Sequence, residues 1–327
     1  MSELAPHFDG YLTLMRAVGR RYERVEQILV QLDRFLEIEG ATDVVLTREI
    51  LGRWLASTPH LAPSTLRAHA SASRQFCRYM ARSEPRTWIP DRSLYPARIP
   101  QFRPHLFTTE EVRALVAAAD RLPAKIWPLR RRTFRALLLL LFATGLRVGE
   151  ALKLRIGDVD IEANTLFIAE TKFFKSRWVP FTVSLAEGLR EYDAERAQAV
   201  SRVGPDEPFF ISARREACGY SAVASVFQLL VRDAGIDTSA TRRGSARLHD
   251  LRHAFAVHCV LRWYREGADV QTKLPLLATY MGHASVLATH VYLHATSELL
   301  AEANQRFERC FSPLVVAPGG EINHVGE

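Results

Sequence analysis

The sequence predicts a mainly α-helical protein with a small antiparallel β-sheet, arranged as two domains. Three observations lead to this fold class. Most of the chain carries apolar side chains at helical spacing. Residues 156–182 instead alternate β-branched and aromatic residues with turn formers. A proline-rich segment without helical periodicity, residues 93–107, separates the first helices from the rest. We therefore expect a helical domain over 1–92, a linker over 93–107, a second domain over 108–311 and a flexible tail over 312–327.

The elements of the first domain follow from apolar periodicity broken by short polar stretches such as EGAT and STPHLAP. They are helices over 11–18, 22–38 and 47–57 and a basic helix from Pro63. In the second domain, Thr108 and Glu111 form a capping box that opens a helix. A second helix runs to Thr144, where Gly145 suits its C-terminal cap, and RVGEALKL gives a third. Beyond the predicted sheet, helices are expected over 185–201, 221–234, 248–262, 273–281 and 297–307.

Composition excludes several classes of protein. The longest apolar run, residues 136–143, is much shorter than the roughly 18 residues that cross a bilayer, and the N-terminus lacks a basic segment that leads into an apolar one. We therefore expect a soluble cytoplasmic protein without a membrane partner. Scattered cysteines without a CxxC pair predict neither a disulfide framework nor a thiolate zinc site. They are Cys77, Cys218, Cys259 and Cys310.

Positive charge is concentrated before the linker. The formal charge of the chain is +7, and residues 50–104 contain nine arginines but only two acids. Within the basic helix, Arg67, Arg74, Arg78 and Arg82 recur on one face. The opposite face is lined by Leu66, Ala70, Ser73, Cys77 and Met80. The basic face suits contact with the phosphates of a polyanion, and it equally suits simple solvation.

Two segments combine arginine with groups that could assist it. In ATGLRVGEAL, Arg147 stands at a helix start, where backbone N–H groups favour an anion, and Glu150 lies one turn later to orient it. In LHDLRHAF, His249 and Arg252 are three residues apart and share a helix face. They could present donors to one phosphate or simply line a wet face. His249 and His253 also have the spacing of a zinc-binding helix, although Asp250 stands where a metalloprotease carries Glu.

Two further segments supply a lysine and a tyrosine. The chain has five lysines against thirty-eight arginines, yet Lys172 and Lys175 both lie in the turn TKFFKSR. Lysine can give up a proton when its pKa is depressed and arginine cannot, so a proton donor is a reasonable role, as is chance placement on an exposed turn. In GHASVLATHVYLH, Tyr292 follows His283 by nine residues and lies between His290 and His294.

Taken together, these four segments resemble the tyrosine site-specific recombinases, also called the phage integrase family. The resemblance covers about residues 106–309, and the arginine-rich helices and the proline linker also resemble that family's core-binding domain and connector. It implies a two-domain clamp on duplex DNA that carries a specific recombination site. It also implies a tetramer on two DNA segments, formed by this chain alone or together with a related recombinase. The last helix, over 298–307, is then expected to dock on a neighbouring protomer. A chain that enters the core-binding helices almost at once favours simple sites.

The resemblance also implies the chemistry. Tyr292 is the nucleophile that forms a 3′-phosphotyrosine link, and no metal or other cofactor is needed because the link preserves the phosphodiester energy. Its supporting residues are Arg147, Lys172, His249, Arg252 and His283. His249 is the expected base and Lys172 the expected acid, with Lys175 as the alternative. Tyr280 is expected to pack, and His290 and His294 to flank the nucleophile.

Three other functions stay open on the sequence alone. A type IB topoisomerase shares the chemistry but relaxes supercoils without exchanging partners, which the compact first domain argues against. A DNA-binding regulator would use the basic surface without the six catalytic residues. A zinc hydrolase would bind metal through His249 and His253 and lose activity with a chelator.

Overall fold

The structure is a computed structural model, and it describes twelve stretches of the chain. They are residues 1–20, 22–41, 43–91, 104–169, 176–200, 204–239, 241, 245–283, 285–290, 292, 301 and 305. These residues fall into two compact units, the first within 1–91 and the second from 104 onward. The predicted linker and tail lie largely outside them, so the exact domain boundaries stay a prediction. Among the described residues, no helix combines the length and apolar character needed to span a bilayer.

Helix α4 organises the first unit, because α1, α2 and α3 all pack against it. The helices are α1 (Ala5–Ala17), α2 (Glu23–Ile38), α3 (Arg48–Ala56) and α4 (Pro63–Met80). The buried face of α4 contributes Phe76, Cys77 and Met80 to an apolar core that also contains Trp54. Pro63 at the first turn of α4 suits a helix start, since its missing N–H would have no partner there.

The exposed face of α4 carries arginine as expected, with one exception. Arg67 and Arg78 on α4, and Arg82 in the turn just after its end, are exposed. Arg74 is half-buried, because its guanidinium donates a hydrogen bond to the carbonyl of Pro90. Arg74 is therefore tied to the segment that follows the helix, and its contact with DNA stays a prediction.

The second unit is built around the apolar helix α6. Its elements are α5 (Thr109–Asp120), α6 (Arg130–Thr144), α7 (Val148–Ala151), β1 (Val159–Asp160), β2 (Thr165–Ile168), β3 (Arg177–Pro180), α8 (Val183–Ala199), α9 (Tyr220–Asp233), α10 (Leu248–Arg265), α11 (Val270–Met281) and α12 (Leu287–His290). Helix α6 packs against α5, α8 and α10, and its leucines form the middle of the larger apolar core. The strands form one antiparallel sheet in the order β1-β2-β3, in which Leu166 pairs with both Val159 and Val179.

Capping side chains fix several of these boundaries. The predicted capping box at Thr108 and Glu111 is present, and Gly145 ends α6 in the left-handed conformation at φ +61°. Other boundaries were predicted wrongly. Helix α1 begins six residues early because Pro6 lies in its first turn and Ala5 and Phe8 are buried, while α11 begins at Val270 because the Asp269 carboxylate accepts hydrogen bonds from its first turn. The helix expected over RVGEALKL is a single turn, and the one over 297–307 lies outside the described residues except for 301 and 305.

Gly145 offers a test of how the end of α6 is packed. A Cβ atom at this position would overlap the Phe255 ring, whereas a Cβ at Gly235, which has the similar φ of +65°, would meet no atom within 4 Å. We expect Gly235→Ala to lower the free energy of unfolding by about 1 kcal/mol through backbone strain. Gly145→Ala should cost roughly 1–3 kcal/mol more through overpacking. Thermal unfolding followed by circular dichroism measures both, and equal losses would contradict the packing argument.

Candidate active site

Arg252 lies at the centre of the candidate site. Helix α10 places it inside the second unit, where the residue is only 2% exposed. Its Nη1 donates to the carbonyl of Gly145 at 2.6 Å and its Nη2 to the carbonyl of Met281 at 2.8 Å. Burial, followed by the charge of Arg147, lowers the pKa of Arg252 to about 10, so the guanidinium stays charged at neutral pH. The interpretation of LHDLRHAF as a wet helix face is therefore wrong for Arg252.

Arg147 reaches the same place from the N-terminus of α7. Its Nη2 donates to the carbonyl of Gly282 at 2.9 Å, and its Nη1 donates to Glu150 Oε1 at 2.7 Å. Glu150 also accepts from the backbone N–H of Arg147, which makes the pair a capping arrangement. The sequence expectation that Glu150 orients this guanidinium agrees with these contacts.

The carboxylate of Glu150 is shared with an arginine that sequence reasoning missed. Arg177 on β3 donates its Nη2 to Glu150 Oε2 at 2.9 Å and its Nε to the carbonyl of Tyr280 at 2.8 Å. Although burial raises the pKa of Glu150, the hydrogen bonds and charge of Arg177, and then those of Arg147, hold it below its ordinary value. The alternation of side chains in RWVP could have identified Arg177 from the sequence. Arg177 lies on the same face of the strand as buried Val179, while Trp178 lies on the exposed face.

His283 follows the end of α11 and faces the arginines. Its Nδ1 lies 2.7 Å from the hydroxyl of Thr289, which is fully buried and which sequence reasoning did not single out. Burial, then the charges of Arg252 and Arg147, lower the pKa of His283 to about 4. A neutral ring whose Nδ1 accepts from the Thr289 hydroxyl carries its proton on Nε2, where it can donate to an anion.

Tyr292 is buried beside both arginines, at 4% exposure, within the apolar cluster of α10 and α11. Its ring lies 6.2 Å from that of His283 and 5.6 Å from that of His253. Burial raises the pKa of Tyr292 above its ordinary value, and the charges of Arg252 and Arg147, with a hydrogen bond from Arg252, oppose that rise. The side chain is thus a protonated phenol at neutral pH next to two fixed positive charges.

His249 and His253 form a pair on α10, with ring centroids 4.9 Å apart in an edge-to-face arrangement. Burial, then His253, Arg252 and Arg247, lower the pKa of His249 to about 4. Burial also lowers the pKa of His253. Both rings are therefore neutral at pH 7 and can accept a proton. Sequence reasoning used His253 only in the zinc alternative, and its contact with Tyr292 was missed.

The structure therefore brings most of the predicted site together. These residues are Arg147, Glu150, His249, Arg252, His283 and Tyr292. Lys172, Lys175, His294 and the side chain of His290 lie outside the described residues. Tyr280 packs as expected, with its hydroxyl donating to the carbonyl of Pro180 at 3.0 Å.

The metal alternative finds no support in the surroundings of Asp250. This carboxylate is 1% exposed and accepts from the backbone N–H and the guanidinium of Arg247 at 2.9 and 3.1 Å. Nowhere in the described part of the chain do three His, Cys, Asp or Glu side chains form a group that could hold a metal ion.

The fold and the site place a buried tyrosine beside two arginines and a neutral histidine. The family model that matches residues 105–298, more than half of the chain, is described as the phage integrase family. The chain belongs to this family, the tyrosine recombinases, and is a site-specific recombinase that cleaves and rejoins DNA strands.

Relatives match along nearly the whole chain. The protein y4rB of Sinorhizobium fredii, whose name describes an integrase/recombinase, is 34% identical over 311 residues, which cover 94% of this chain and 98% of that one. Tyrosine recombinase XerC of Herpetosiphon aurantiacus is 28% identical over 318 residues, which cover 94% and 96% of the two chains.

Two solved structures share the fold. The Tn1549 transposon integrase in complex with transposon right end DNA aligns with a TM-score of 0.67 at 16% identity, over 93% of this chain and 98% of that one. The XerH site-specific recombinase bound to its palindromic difH substrate aligns with a TM-score of 0.62 at 21% identity, over 87% and 79%.

The lowered pKa of His249 predicts how stability depends on pH. The ring has a pKa of about 4 when folded, against an ordinary value of 6.5 when unfolded. The unfolded chain therefore binds more protons between pH 6.5 and 4, and the free energy of unfolding falls as the pH falls through that window. The contribution of His249 is fully present above pH 6.5, and its loss should be on the order of 1–2 kcal/mol.

Thermal unfolding at pH 7 and pH 5 measures this dependence. We expect the melting temperature of His249→Gln to fall by a few degrees less than that of the wild type. His60→Gln, which changes an exposed histidine of the first unit, should follow the wild type. A drop for His249→Gln as large as the wild-type drop would show that this ring is not protonated on unfolding.

Proposed function

We propose that Tyr292 attacks the scissile phosphate of a specific DNA site. Its oxygen bonds to phosphorus, the bond from phosphorus to the 5′ oxygen breaks, and a 3′-phosphotyrosine link and a 5′ hydroxyl result. A 5′ hydroxyl of a partner strand then attacks the link and releases Tyr292. The number of phosphoester bonds is unchanged throughout, so the reaction needs no ATP. The observation that carries the proposal is the position of the Tyr292 hydroxyl beside the charges of Arg252 and Arg147.

The supporting residues have roles that follow from their protonation and contacts. Negative charge grows on the non-bridging oxygens in the transition state, and Arg147, Arg252 and the Nε2–H of His283 are the donors that stabilise it. Arg147 makes two side-chain hydrogen bonds within the described part of the chain, and Arg252 makes two to carbonyls and one to Tyr292. An arginine has five N–H donors, so donors remain for a phosphate.

Proton transfer completes the scheme. His249, which is neutral at pH 7, takes the phenol proton of Tyr292. Lys172 gives a proton to the departing 5′ oxygen, and Lys175 is the alternative donor. Arginine is less suited to this role because its guanidinium keeps its proton at neutral pH, as it does even in buried Arg252.

The wider assembly is also part of the proposal. The first unit and the second unit act as a core-binding domain and a catalytic domain that clamp duplex DNA. Four protomers, of this chain alone or with a related recombinase, act on two DNA segments in the cytoplasm. The names of relatives and neighbours, which include integrases and Xer recombinases, support strand exchange between two sites.

Covalent trapping tests the nucleophile. On a nicked duplex that carries the site, the wild-type protein should form a DNA adduct that survives denaturation, since the nicked strand loses the fragment needed for rejoining. Tyr292→Phe should form none because the attacking oxygen is gone. Tyr280→Phe, which removes only the hydroxyl that bonds the Pro180 carbonyl, should still form it. Sequencing the DNA recovered from the adduct identifies the site.

Other outcomes of this assay would overturn the proposal in distinct ways. Full biological function in Tyr292→Phe would identify a DNA-binding regulator. Loss of the adduct in EDTA would reveal a metal-dependent reaction. Supercoil relaxation without exchange between two labelled duplexes would identify a topoisomerase.

Salt dependence tests the basic face of α4. If Arg67, Arg78 and Arg82 each neutralise one phosphate, changing any of them to glutamine should weaken binding to all DNA sequences alike. It should also reduce the slope of log affinity against log salt by about 0.9. Arg53→Gln is the control, since Arg53 already pairs with Glu39 at 2.9 Å, and it should leave the slope unchanged. Unchanged slopes for all three variants would indicate a solvated face.

A further inference from the structure

Three arginines from three different elements bind three successive carbonyls where α11 ends. Arg177 of β3 donates to Tyr280 at 2.8 Å, Arg252 of α10 donates to Met281 at 2.8 Å, and Arg147 at the start of α7 donates to Gly282 at 2.9 Å. The last carbonyls of a helix have no partner within it and carry the negative end of its dipole. The end of α11 therefore binds guanidinium groups. His283 directly follows the last of these three carbonyls in the chain.

All three guanidinium nitrogens of Arg177 donate hydrogen bonds within the protein. Its side chain is 12% exposed, and Nη2 and Nη1 lie 2.9 and 3.4 Å from the two carboxylate oxygens of Glu150. Its Nε is used by the Tyr280 carbonyl. A guanidinium held in this way is poorly suited to receive a phosphate.

The close approach of Arg177 to α11 requires the glycine that ends the helix. Gly282 has φ +67°, and a Cβ atom there would lie 2.7 Å from Nη1 of Arg177. Gly282 thus supplies both the left-handed turn and the space for the guanidinium.

The charges of the group explain what Arg177 contributes. Glu150 lies between two guanidiniums, with Arg147 Nη1 at 2.7 Å and Arg177 Nη2 at 2.9 Å. The three side chains together carry one net positive charge. Without Arg177, the pair that remains is neutral, and the carboxylate is free to take both Nη groups of Arg147 in a bidentate pair.

We propose that Arg177 is a positioning residue for DNA cleavage: it holds Glu150 and the end of α11 so that Arg147 and His283 face the scissile phosphate with their donors available. This role rests on the proposed function, because Arg147 and His283 are taken there as phosphate ligands. Arg177 acts through these two residues and does not itself contact the DNA.

The test compares Arg177→Met with the wild type in single-turnover cleavage. The substrate is a nicked duplex that carries the site sequenced from the wild-type adduct. We expect cleavage to slow on the order of 100-fold, the size of effect that a misplaced ligand produces. A second duplex carries a methylphosphonate at the scissile position, which removes the negative charge of one non-bridging oxygen. On that duplex Arg177→Met should slow cleavage less than about tenfold. The scissile group there carries less negative charge, so the loss of the arginine charge has a smaller effect on the rate.

A double variant tests whether Arg177 acts through Glu150. In Arg177→Met combined with Glu150→Gln, the neutral amide no longer neutralises Arg147, so the double variant should cleave faster than Arg177→Met alone. Arg177→Lys should recover part of the lost rate because lysine restores the charge but not the fork of donors. If Arg177→Met fails to fold, the comparison of the two duplexes is made with Arg177→Lys.

Arg196→Met is the matched control. Arg196 is another buried arginine of the second unit, and it donates to the carbonyls of Pro208 and Phe209 at 2.9 and 3.1 Å. Its replacement should lower the melting temperature but leave cleavage by the folded protein unchanged on both duplexes. DNA affinity and circular dichroism establish that each variant is folded and bound.

The outcomes separate this inference from the function on which it rests. If the wild-type protein forms no adduct, the proposed function fails. If the wild-type protein cleaves and Arg177→Met cleaves equally fast, or is slowed by the same factor on both duplexes, the positioning role is overturned while the nucleophile assignment stands. A double variant no faster than Arg177→Met would overturn the route through Glu150.

Discussion

The binding of guanidinium groups to the C-terminal end of α11 is the interaction on which the site depends. Arg147, Arg177 and Arg252 are like charges, and bringing them together in a partly buried place is costly in itself. Three backbone carbonyls, the helix dipole and one carboxylate offset that cost. The same contacts tie β3, α7 and α10 to α11, so the arrangement that concentrates positive charge also joins the elements that carry it.

Burial, and after it this concentration of charge, sets the protonation state of the histidines in the site. Burial and the nearby arginines lower the pKa of both His249 and His283 to about 4, so neither ring is an imidazolium at neutral pH. A neutral ring is more useful here than a charged one. It can accept a proton, as proposed for His249, or it can donate from Nε2 while its Nδ1 is fixed by the Thr289 hydroxyl, as in His283. Among the described residues of the site, the permanent positive charge then comes from arginine.

The sequence predicted best what depends on neighbouring residues. The capping box at Thr108, the left-handed end of α6 at Gly145 and the pairing of Arg147 with Glu150 are local, and a pattern of three or four residues is enough to predict each of them. Arg177 was missed because its partners Glu150 and Tyr280 lie 27 and 103 residues away. The same applies to Arg252, whose burial follows from carbonyls 107 residues before it and 29 after it. The resemblance to a known family supplied the residues that meet in the site, and the structure supplied the contacts that hold them there.

The state of Tyr292 shows why its neighbours must include a proton acceptor. Two nearby guanidiniums lower its pKa, but burial outweighs them and the pKa is raised overall. A bound phosphate would add negative charge next to the phenol and oppose ionisation further. In the proposed reaction the phenol of Tyr292 therefore loses its proton as the bond to phosphorus forms. The ring of His253 lies against Tyr292, and that of His249 lies against His253. Both have lowered pKa values, so the surroundings of the tyrosine include neutral imidazoles as well as fixed cations. In the proposed attack on a phosphate, the cations would stabilise the negative charge that develops on the tyrosine oxygen, and the imidazoles would accept the departing proton.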